Sequence, residues 1–217
     1  MYNKDYILRL AERFGRALAI IMHLRKNNKY EEALINIDEL FLQSVGLTTH
    51  FVNSASEEML LKLISPLDTL NLEKCLWIAV LFKEEGDIYA EMGKPDESYY
   101  RYIKALFFFL VASFQDKAIK DLDIGSTIED ILQKLEEFEL PLTIKIKLVR
   151  YFEMTGRYSK AEEMLFDIVE SDEPTAQEII APGKEFYQRL LKKNDTDLQL
   201  GGLSRQEVEK GLAQLDK

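Results

Sequence analysis

Residues able to bind a metal ion are few and widely separated in this chain. Its only histidines, His23 and His50, lie 27 residues apart, and Cys75 is its single cysteine. A metal centre needs several converging His, Cys or carboxylate ligands, so we expect these three residues to have structural roles or to lie on the surface. Residues 121–125 resemble the start of a calcium loop, but the glycine comes one position early and Leu132 replaces the closing glutamate. We interpret this stretch as a turn and predict no metal site.

Motifs for nucleophilic or phosphate chemistry are missing as well. The sequence has no Gly-x-Ser-x-Gly elbow, and two histidines offer little material for a triad. The glycine pair Gly201 and Gly202 lacks the spacing and lysine of a phosphate-binding loop. Adjacent carboxylates such as Glu84 and Glu85 are typical of a solvated acidic helix surface. The sequence therefore predicts a protein that is not an enzyme and has no cofactor.

Composition restricts the classes of partner. The net charge is −10 and the isoelectric point is near 4.9, which argues against a nucleic-acid partner because such affinity depends on clustered Lys and Arg. No apolar run approaches the roughly 20 residues that span a bilayer. The N-terminal residues show no export signal, and one cysteine cannot form an internal disulfide. We expect a cytoplasmic protein without a membrane partner.

Charge is distributed unevenly despite the acidic average. Residues 1–30 hold seven Lys or Arg against two carboxylates, a net of +5, and Arg9, Arg13 and Arg16 share one helix face. Residues 161–183 hold seven carboxylates and no basic residue. The three arginines either pair with internal carboxylates or form a docking site, since like charges on one face repel. Docking would favour the acidic segment of a second copy, giving a homodimer that weakens with salt.

Helical periodicity dominates the chain, and no segment alternates with the period of two that a strand requires. Ile7, Leu10, Phe14, Leu18 and Ile21 recur at steps of three and four residues, which predicts an amphipathic first helix. Residues 106–111 are apolar all round, which predicts an enclosed central helix. Helix starts are expected near Asn71, Pro95, Pro141 and Ser204, capping boxes at Ser54 and Ser126, a loop over residues 48–53, and a break at Pro182 and Gly183.

One helical-hairpin signature occurs three times, at residues 24–33, 89–98 and 152–161. Each copy has an apolar or aromatic anchor, a short polar turn and then a new amphipathic run. Superposing Asn28, Gly93 and Gly156 places a small residue five positions later in every copy; these residues are Ala33, Ser98 and Ala161. A small side chain there lets two helix backbones approach closely, as stacked helical pairs require.

At these positions the chain resembles the tetratricopeptide-repeat (TPR) family, whose unit is an antiparallel helix pair of about 34 residues. In the best copy, residues 79–112, the motif positions carry Phe82, Gly86, Tyr89, Ser98, Tyr102 and Ala105. The chain also looks like an uncharacterised bacterial family of TPR-like proteins, through residues 5–9 and 84–89. By the register of the family, a peptide-binding groove would be faced by Lys83, Asp87, Ala90 and Glu91.

The resulting prediction is an all-α, TPR-like right-handed superhelix of about ten helices in one domain, residues 1–217. Within it we expect a first hairpin at 1–46, the best repeat at 79–112, a third repeat at 141–171 and capping helices at 175–217. We predict a non-catalytic scaffold for a protein or peptide partner, with protein-binding residues Arg9, Arg13, Arg16, Lys83, Asp87 and Glu91. Two alternatives stay open, a ligand or peptide sensor with a pocket beside residues 99–109, and a self-associating structural protein.

Overall fold

The computed structural model describes residues 4–115, 122–170 and 179–215. All regular secondary structure in these ranges is helical, with twelve α-helices and no strand, which confirms the all-α prediction. Contacts between Cα atoms divide the chain into two compact units, residues 1–139 and 140–217. The number of helices in these ranges exceeds the predicted ten because two short helices, at residues 49–54 and 195–200, lie where the sequence predicts polar loops.

Seven α-helices lie in the described residues of the first unit: α1 (Lys4–Lys26), α2 (Tyr30–Leu40), α3 (Thr49–Ser54), α4 (Glu57–Leu63), α5 (Leu72–Glu91), α6 (Pro95–Ser113) and α7 (Ile124–Lys134). The predicted start of α5 is confirmed, because the Asn71 side chain accepts from the amide of Lys74. Pro95 opens α6, where a missing amide hydrogen costs little. Helix α5 packs against α1, α2 and α6, and α6 also packs against α7.

Over residues 140–170 and 179–215, the second unit contains five α-helices: α8 (Leu142–Met154), α9 (Tyr158–Val169), α10 (Ile180–Leu191), α11 (Asp195–Leu200) and α12 (Arg205–Gln214). Helices α8 and α9 pack together, as do α10 and α12. The capping box predicted for α12 is present, since Ser204 and Glu207 satisfy each other's backbone amides. Gly211 of α12 lies directly against the ring of Tyr187 in α10.

The three predicted hairpin turns share one backbone hydrogen-bond pattern. Asn28, Gly93 and Gly156 all have positive φ, at 55°, 69° and 75°. In each turn the amide three residues beyond the helix end donates to the carbonyl five positions earlier, from Lys29 to Leu24, from Lys94 to Tyr89 and from Arg157 to Phe152, at 3.0, 2.9 and 2.8 Å. This is the Schellman pattern that ends many helices. The sequence register of the three hairpins is therefore confirmed.

Small side chains lie buried where the hairpins require them. Ala33 and Ala161 are fully buried and Ser98 is 5% exposed, in the pairs α1/α2, α8/α9 and α5/α6, which pack together. In α5, a Cβ on Gly86 would lie 2.6 Å from the ring of Tyr102 in α6. The prediction that α6 is enclosed is also confirmed, because every residue from 102 to 112 is buried. The α5/α6 hairpin is thus the core of the first unit.

Two local predictions in the first unit were wrong. Residues 49–54 form helix α3, which Thr48 caps by accepting from the amide of Phe51, whereas the sequence suggested a loop. The cap of α4 is Ser56 rather than Ser54. The buried ammonium of Lys104 donates to the carbonyls of Val52, Asn53 and Ala55, at 2.8, 3.0 and 2.6 Å. A cation from α6 thereby satisfies carbonyls at the end of a helix too short to be stable alone.

Three further boundaries differ from the prediction. Helix α7 starts at Ile124, so Ser126 lies inside the helix and donates to Asp123 instead of capping it. Helix α10 runs through Pro182 and Gly183, because a proline in the first turn removes an amide that has no intrahelical partner. Helix α11 was missed; Asn194 caps it by accepting from the amide of Asp197 at 2.7 Å. The turn and helix starts predicted over residues 121 and 175–178 lie outside the described residues.

A candidate binding groove over helix α5

The carboxylate of Asp87 lies at the meeting point of four helices. Its Oδ2 accepts from Lys83 of α5 at 2.8 Å and from Arg25 of α1 at 3.1 Å. Its Oδ1 accepts from Tyr102 of α6 and from Lys134 of α7, both at 2.7 Å. The Asp87 side chain is 6% exposed, so these four hydrogen bonds are largely protected from solvent. We call this arrangement the Asp87 hub.

The electrostatics of the hub favour an ionised Asp87. Burial alone would raise the pKa of Asp87, but the charge of Lys83 and hydrogen bonds from Lys134, Lys83 and Tyr102 outweigh it and lower the pKa to about 2. Burial and the bond to Asp87 raise the pKa of the Tyr102 hydroxyl, which stays protonated as a donor. Each partner therefore holds the protonation state that the hydrogen bonds need.

Arg25 extends the hub along α5. Its guanidinium donates to Glu84 at 2.6 Å and to Glu91 at 2.7 Å, in addition to Asp87. These three carboxylates follow one face of α5, and only Glu91 is substantially exposed, at 40%. Burial disfavours the charge on Arg25, yet the bond to Glu91 and the charges of Glu84, Asp87 and Glu91 raise its pKa. The C-terminal end of α1 is thereby fastened to α5.

Helices α1 and α7 lie apart nearer the start of α5, and an open cleft of about 390 Å³ lies between them. Apolar and small side chains form most of its wall, and they are Ala11, Phe14, Gly15, Leu18, Leu76, Val80, Phe109, Leu122 and Ile124. Its polar lining consists of Lys83, Glu84, Asp123 and Thr127. A Cβ on Gly15 would meet nothing within 4 Å. The cleft adjoins the hub because Lys83 and Glu84 belong to both.

The three charged groove residues predicted from the TPR register lie on one face of α5, but each has different surroundings. Lys83 lines the cleft. Asp87 is buried in the hub, and Glu91 is bound by Arg25. Their charges are therefore satisfied within the chain, and the apolar part of the cleft is the surface left open.

The three arginines of α1 are separated by the structure. Arg13 pairs with Glu73 at the start of α5 and lies over the ring of Trp77, 5.7 Å from its centroid. Arg9 and Arg16 are exposed and form no ion pair with any residue that the structure describes. Pairing with residues that the structure describes thus accounts for one of the three.

The acidic segment is engaged within its own unit where the structure describes it. Asp167 pairs with Lys145 at 2.6 Å, and Glu162 accepts from the Tyr187 hydroxyl at 2.8 Å. Residues 171–178 of this segment lie outside the described residues. The charge-steered homodimer stays a prediction.

A further buried carboxylate of α5, Glu85, pairs with α6 instead of with α1 or α7. It is 2% exposed and accepts from Arg101 of α6 at 2.8 Å. Burial raises the pKa of Glu85 to about 7, although Arg101 opposes the shift. The cleft lining does not include Glu85, and its bond to Arg101 joins the two helices of the core hairpin, which indicates a structural role.

Groups with other chemical potential lie apart from the cleft. Burial raises the pKa of the Cys75 thiol to about 12, and its sulfur donates to the Phe108 carbonyl, so the reactive thiolate is strongly disfavoured. Over the described ranges, no three His, Cys or acidic residues come close enough to hold a metal ion. The same ranges contain no helix with the length and hydropathy needed to cross a bilayer.

Sequence reasoning missed most of the cleft and the partners of Asp87. Leu18 was placed in the core stripe of α1, but Ala17 takes that place, with 8% exposure, and Leu18 lies at the cleft. A readable signal existed, because Ala11, Gly15 and Leu18 repeat at steps of four and three residues beside the core stripe. The predicted pocket beside residues 99–109 coincides with the cleft only at Phe109; Tyr99 instead bonds to the Glu139 carbonyl.

Comparison with known proteins places the whole chain in one family. The model of a family of unknown function (DUF6483) matches residues 1–217. Neither a curated protein nor a solved structure matches the chain.

Proposed function

The chain belongs to this family of unknown function, and we propose that it is a non-catalytic protein-interaction module. The cleft between α1 and α7 receives apolar side chains from a helical segment of a protein partner. The open apolar wall beside the Asp87 hub is the observation that carries this proposal. A preformed cleft lets the scaffold lose little entropy on binding.

A TPR-like superhelix is part of the same proposal. Three hairpin turns share a hydrogen-bond pattern, and Gly86 and Tyr102 meet where the family brings its two helices together. In the first unit, α1 and α5 open hairpins and both line the cleft, as first helices of pairs line the groove in the TPR family. These features support the arrangement within the first unit.

A helical segment suits the cleft better than an extended one. The exposed face of α1 beside the cleft carries apolar and small residues at helical spacing, which matches the i, i+3, i+7 anchors of helix-in-groove recognition. Among the ionisable groups of the lining, Glu84 and Asp123 outnumber Lys83. The anchor residues of the partner should therefore be apolar, with a basic rather than an acidic flank.

The test compares the wild type with two variants in affinity capture followed by titration. Gly15→Lys places a charged side chain over the cleft without displacing any neighbour, since a Cβ there meets nothing within 4 Å. Ile35→Lys on α2, whose side chain is 59% exposed, is the control. We expect the wild type and the control to retain a protein that Gly15→Lys does not retain. In titrations with that purified protein, the wild type and the control should bind more tightly than Gly15→Lys. Equal binding by all three forms would contradict the proposal.

The volume of the cleft favours a second candidate function, the binding of a small apolar ligand. Pockets for such ligands have volumes of about 300–1,000 Å³ and a mostly apolar lining with few polar groups, and the cleft fits both criteria. Native mass spectrometry of protein purified from its own cells tests this candidate. A bound small molecule in the wild type that is absent from Gly15→Lys would favour it, and wild type at the mass of the bare chain would exclude it.

A further inference from the structure

Helix α1 carries a second apolar stripe beside the one that packs into the core. The buried stripe consists of Ile7, Leu10, Phe14, Ala17 and Ile21, each at most 8% exposed. The second stripe, which we call the α1 seam, consists of Leu8, Ala11, Gly15, Leu18 and Met22. Leu8 and Met22 are 53% and 47% exposed, Ala11 and Gly15 are exposed, and Leu18 is half-buried.

The spacing of the α1 seam is that of a helix-packing surface. Its members follow one another at steps of three, four, three and four residues, the heptad pattern that keeps one stripe facing a partner helix. Its centre is formed by small residues, so a partner backbone can approach closely there. The centre of the seam also forms one wall of the cleft, through Ala11, Gly15 and Leu18. A helix lying on the seam would therefore also cover the cleft.

We infer that the partner segment is α1 of a second copy of this chain, packed antiparallel along the α1 seam. This inference rests on the proposed function, because it names the segment that the cleft receives. In an antiparallel pair, Ala11 lies opposite Met22 of the second copy, and Gly15 lies opposite its Leu18. Each of these two layers then combines a large side chain with a small one, and the two-fold symmetry of the dimer repeats both layers.

Charge selects the antiparallel direction. Asp5 and Lys26 flank the same side of the seam, three heptads apart, and both are exposed. An antiparallel pair brings Asp5 of one copy near Lys26 of the other, whereas a parallel pair would place Lys26 near Lys26. The next seam position after Met22 is Arg25, whose charge is already satisfied by Glu84, Asp87 and Glu91. Its aliphatic stem can then cover Leu8 of the second copy without an unpaired charge.

Sedimentation velocity on the full chain measures the association directly. We expect a species of twice the 25.2-kDa chain mass, and it should persist at high ionic strength because the seam is apolar. Gly15→Lys should sediment at the mass of a single chain while retaining the helical circular dichroism of the wild type. Ile35→Lys should remain a dimer.

Disulfide trapping tests the register. In the antiparallel pair, a cysteine at position 11 faces a cysteine at position 22 of the second copy, whereas two cysteines at position 11 lie about 16 Å apart along the axis. Under mild oxidation the double variant Ala11→Cys/Met22→Cys should form a covalent dimer, and each single variant should not. The native Cys75 is fully buried and does not compete.

The following outcomes would overturn the inference. A wild-type chain that sediments at 25.2 kDa up to its solubility limit, or a dimer that survives Gly15→Lys, excludes the α1 seam as the contact. Equal trapping of the single and double variants excludes the antiparallel register. If the chain is monomeric but Gly15→Lys abolishes binding of a different protein, the inference fails and the proposed function stands.

Discussion

Replacing Asp87 by asparagine should strongly destabilise the first unit. The substitution keeps the shape of the side chain but removes the negative charge that faces Arg25, Lys83 and Lys134. It also replaces an acceptor oxygen by an NH₂ group, which is a donor. All four partners of Asp87 donate to it. At least one buried donor is then left facing another donor.

The expected loss of stability follows from the lowered pKa of Asp87. The ordinary value of 3.8 falls to about 2 in the folded chain, which corresponds to about 2.5 kcal/mol of stability at pH 7. Mispaired donors add to this, and removal of one partner from a buried ionic cluster costs about 3–5 kcal/mol. We therefore expect a loss of about 3 kcal/mol at pH 7. Glu91→Gln, which removes an exposed partner of Arg25, should cost less than about 1 kcal/mol.

Urea unfolding followed by tryptophan fluorescence is the assay. Trp77 is the only tryptophan and is buried in α5, so its emission reports the unit that contains the hub. A depressed pKa contributes stability above the unfolded value, and this contribution is lost as the pH falls through the folded value. The difference between wild type and Asp87→Asn should therefore shrink as the pH falls from about 5 toward 2. A loss below about 1 kcal/mol at pH 7, or a difference that does not change with pH, would refute the hub.

Three further predictions concern stability. Because burial raises the pKa of Glu85 from 4.5 to about 7, its contribution is fully present below the unfolded value and is lost as the pH rises through the folded value, so Glu85→Gln should be about 3 kcal/mol more stable than wild type at pH 8 and equal to it at about pH 3.5; urea titrations at both values check this. Gly86→Ala forces a Cβ to 2.6 Å from the Tyr102 ring and should cost about 2 kcal/mol, whereas Gly15→Ala, with open space around its Cβ, should stabilise by about 0.5–1 kcal/mol; thermal melts of both should move in opposite directions. Gly156→Ala should cost about 1–2 kcal/mol despite open space, because the residue has φ of 75°, and a melting temperature equal to that of wild type would contradict this.

The features that were predictable from the sequence are those set by nearby residues. The three hairpin turns depend on hydrogen bonds that span six residues and on one residue with positive φ, so a local pattern of Asn or Gly was enough. The burial of α6 followed from its composition alone. Pro182 misled the prediction because the effect of a proline depends on whether it lies in the first turn.

The candidate site was only partly predictable because its contacts are distant in sequence. Arg25 lies 62 residues from Asp87, and Lys134 lies 47 residues from it, and no spacing rule relates such positions. The resemblance to TPR proteins selected a face of α5 that borders the cleft through Lys83, yet it could not show that Asp87 and Glu91 are bound internally. The α1 seam has heptad spacing in the sequence, but it lies beside the core stripe. The prediction that Leu18 belongs to the core stripe was therefore wrong, and Leu18 lines the cleft.

Site-specific photocrosslinking in cells tests most directly whether the cleft holds a protein segment. Benzoyl-phenylalanine would be introduced at Leu18, which lines the cleft, and, as a control, at Ile35, which is 59% exposed on α2. We expect a crosslink from position 18 to one defined helical segment, which we infer to be α1 of a second copy, and no crosslink from position 35. No crosslink from position 18, or the same diffuse products from both positions, would contradict it.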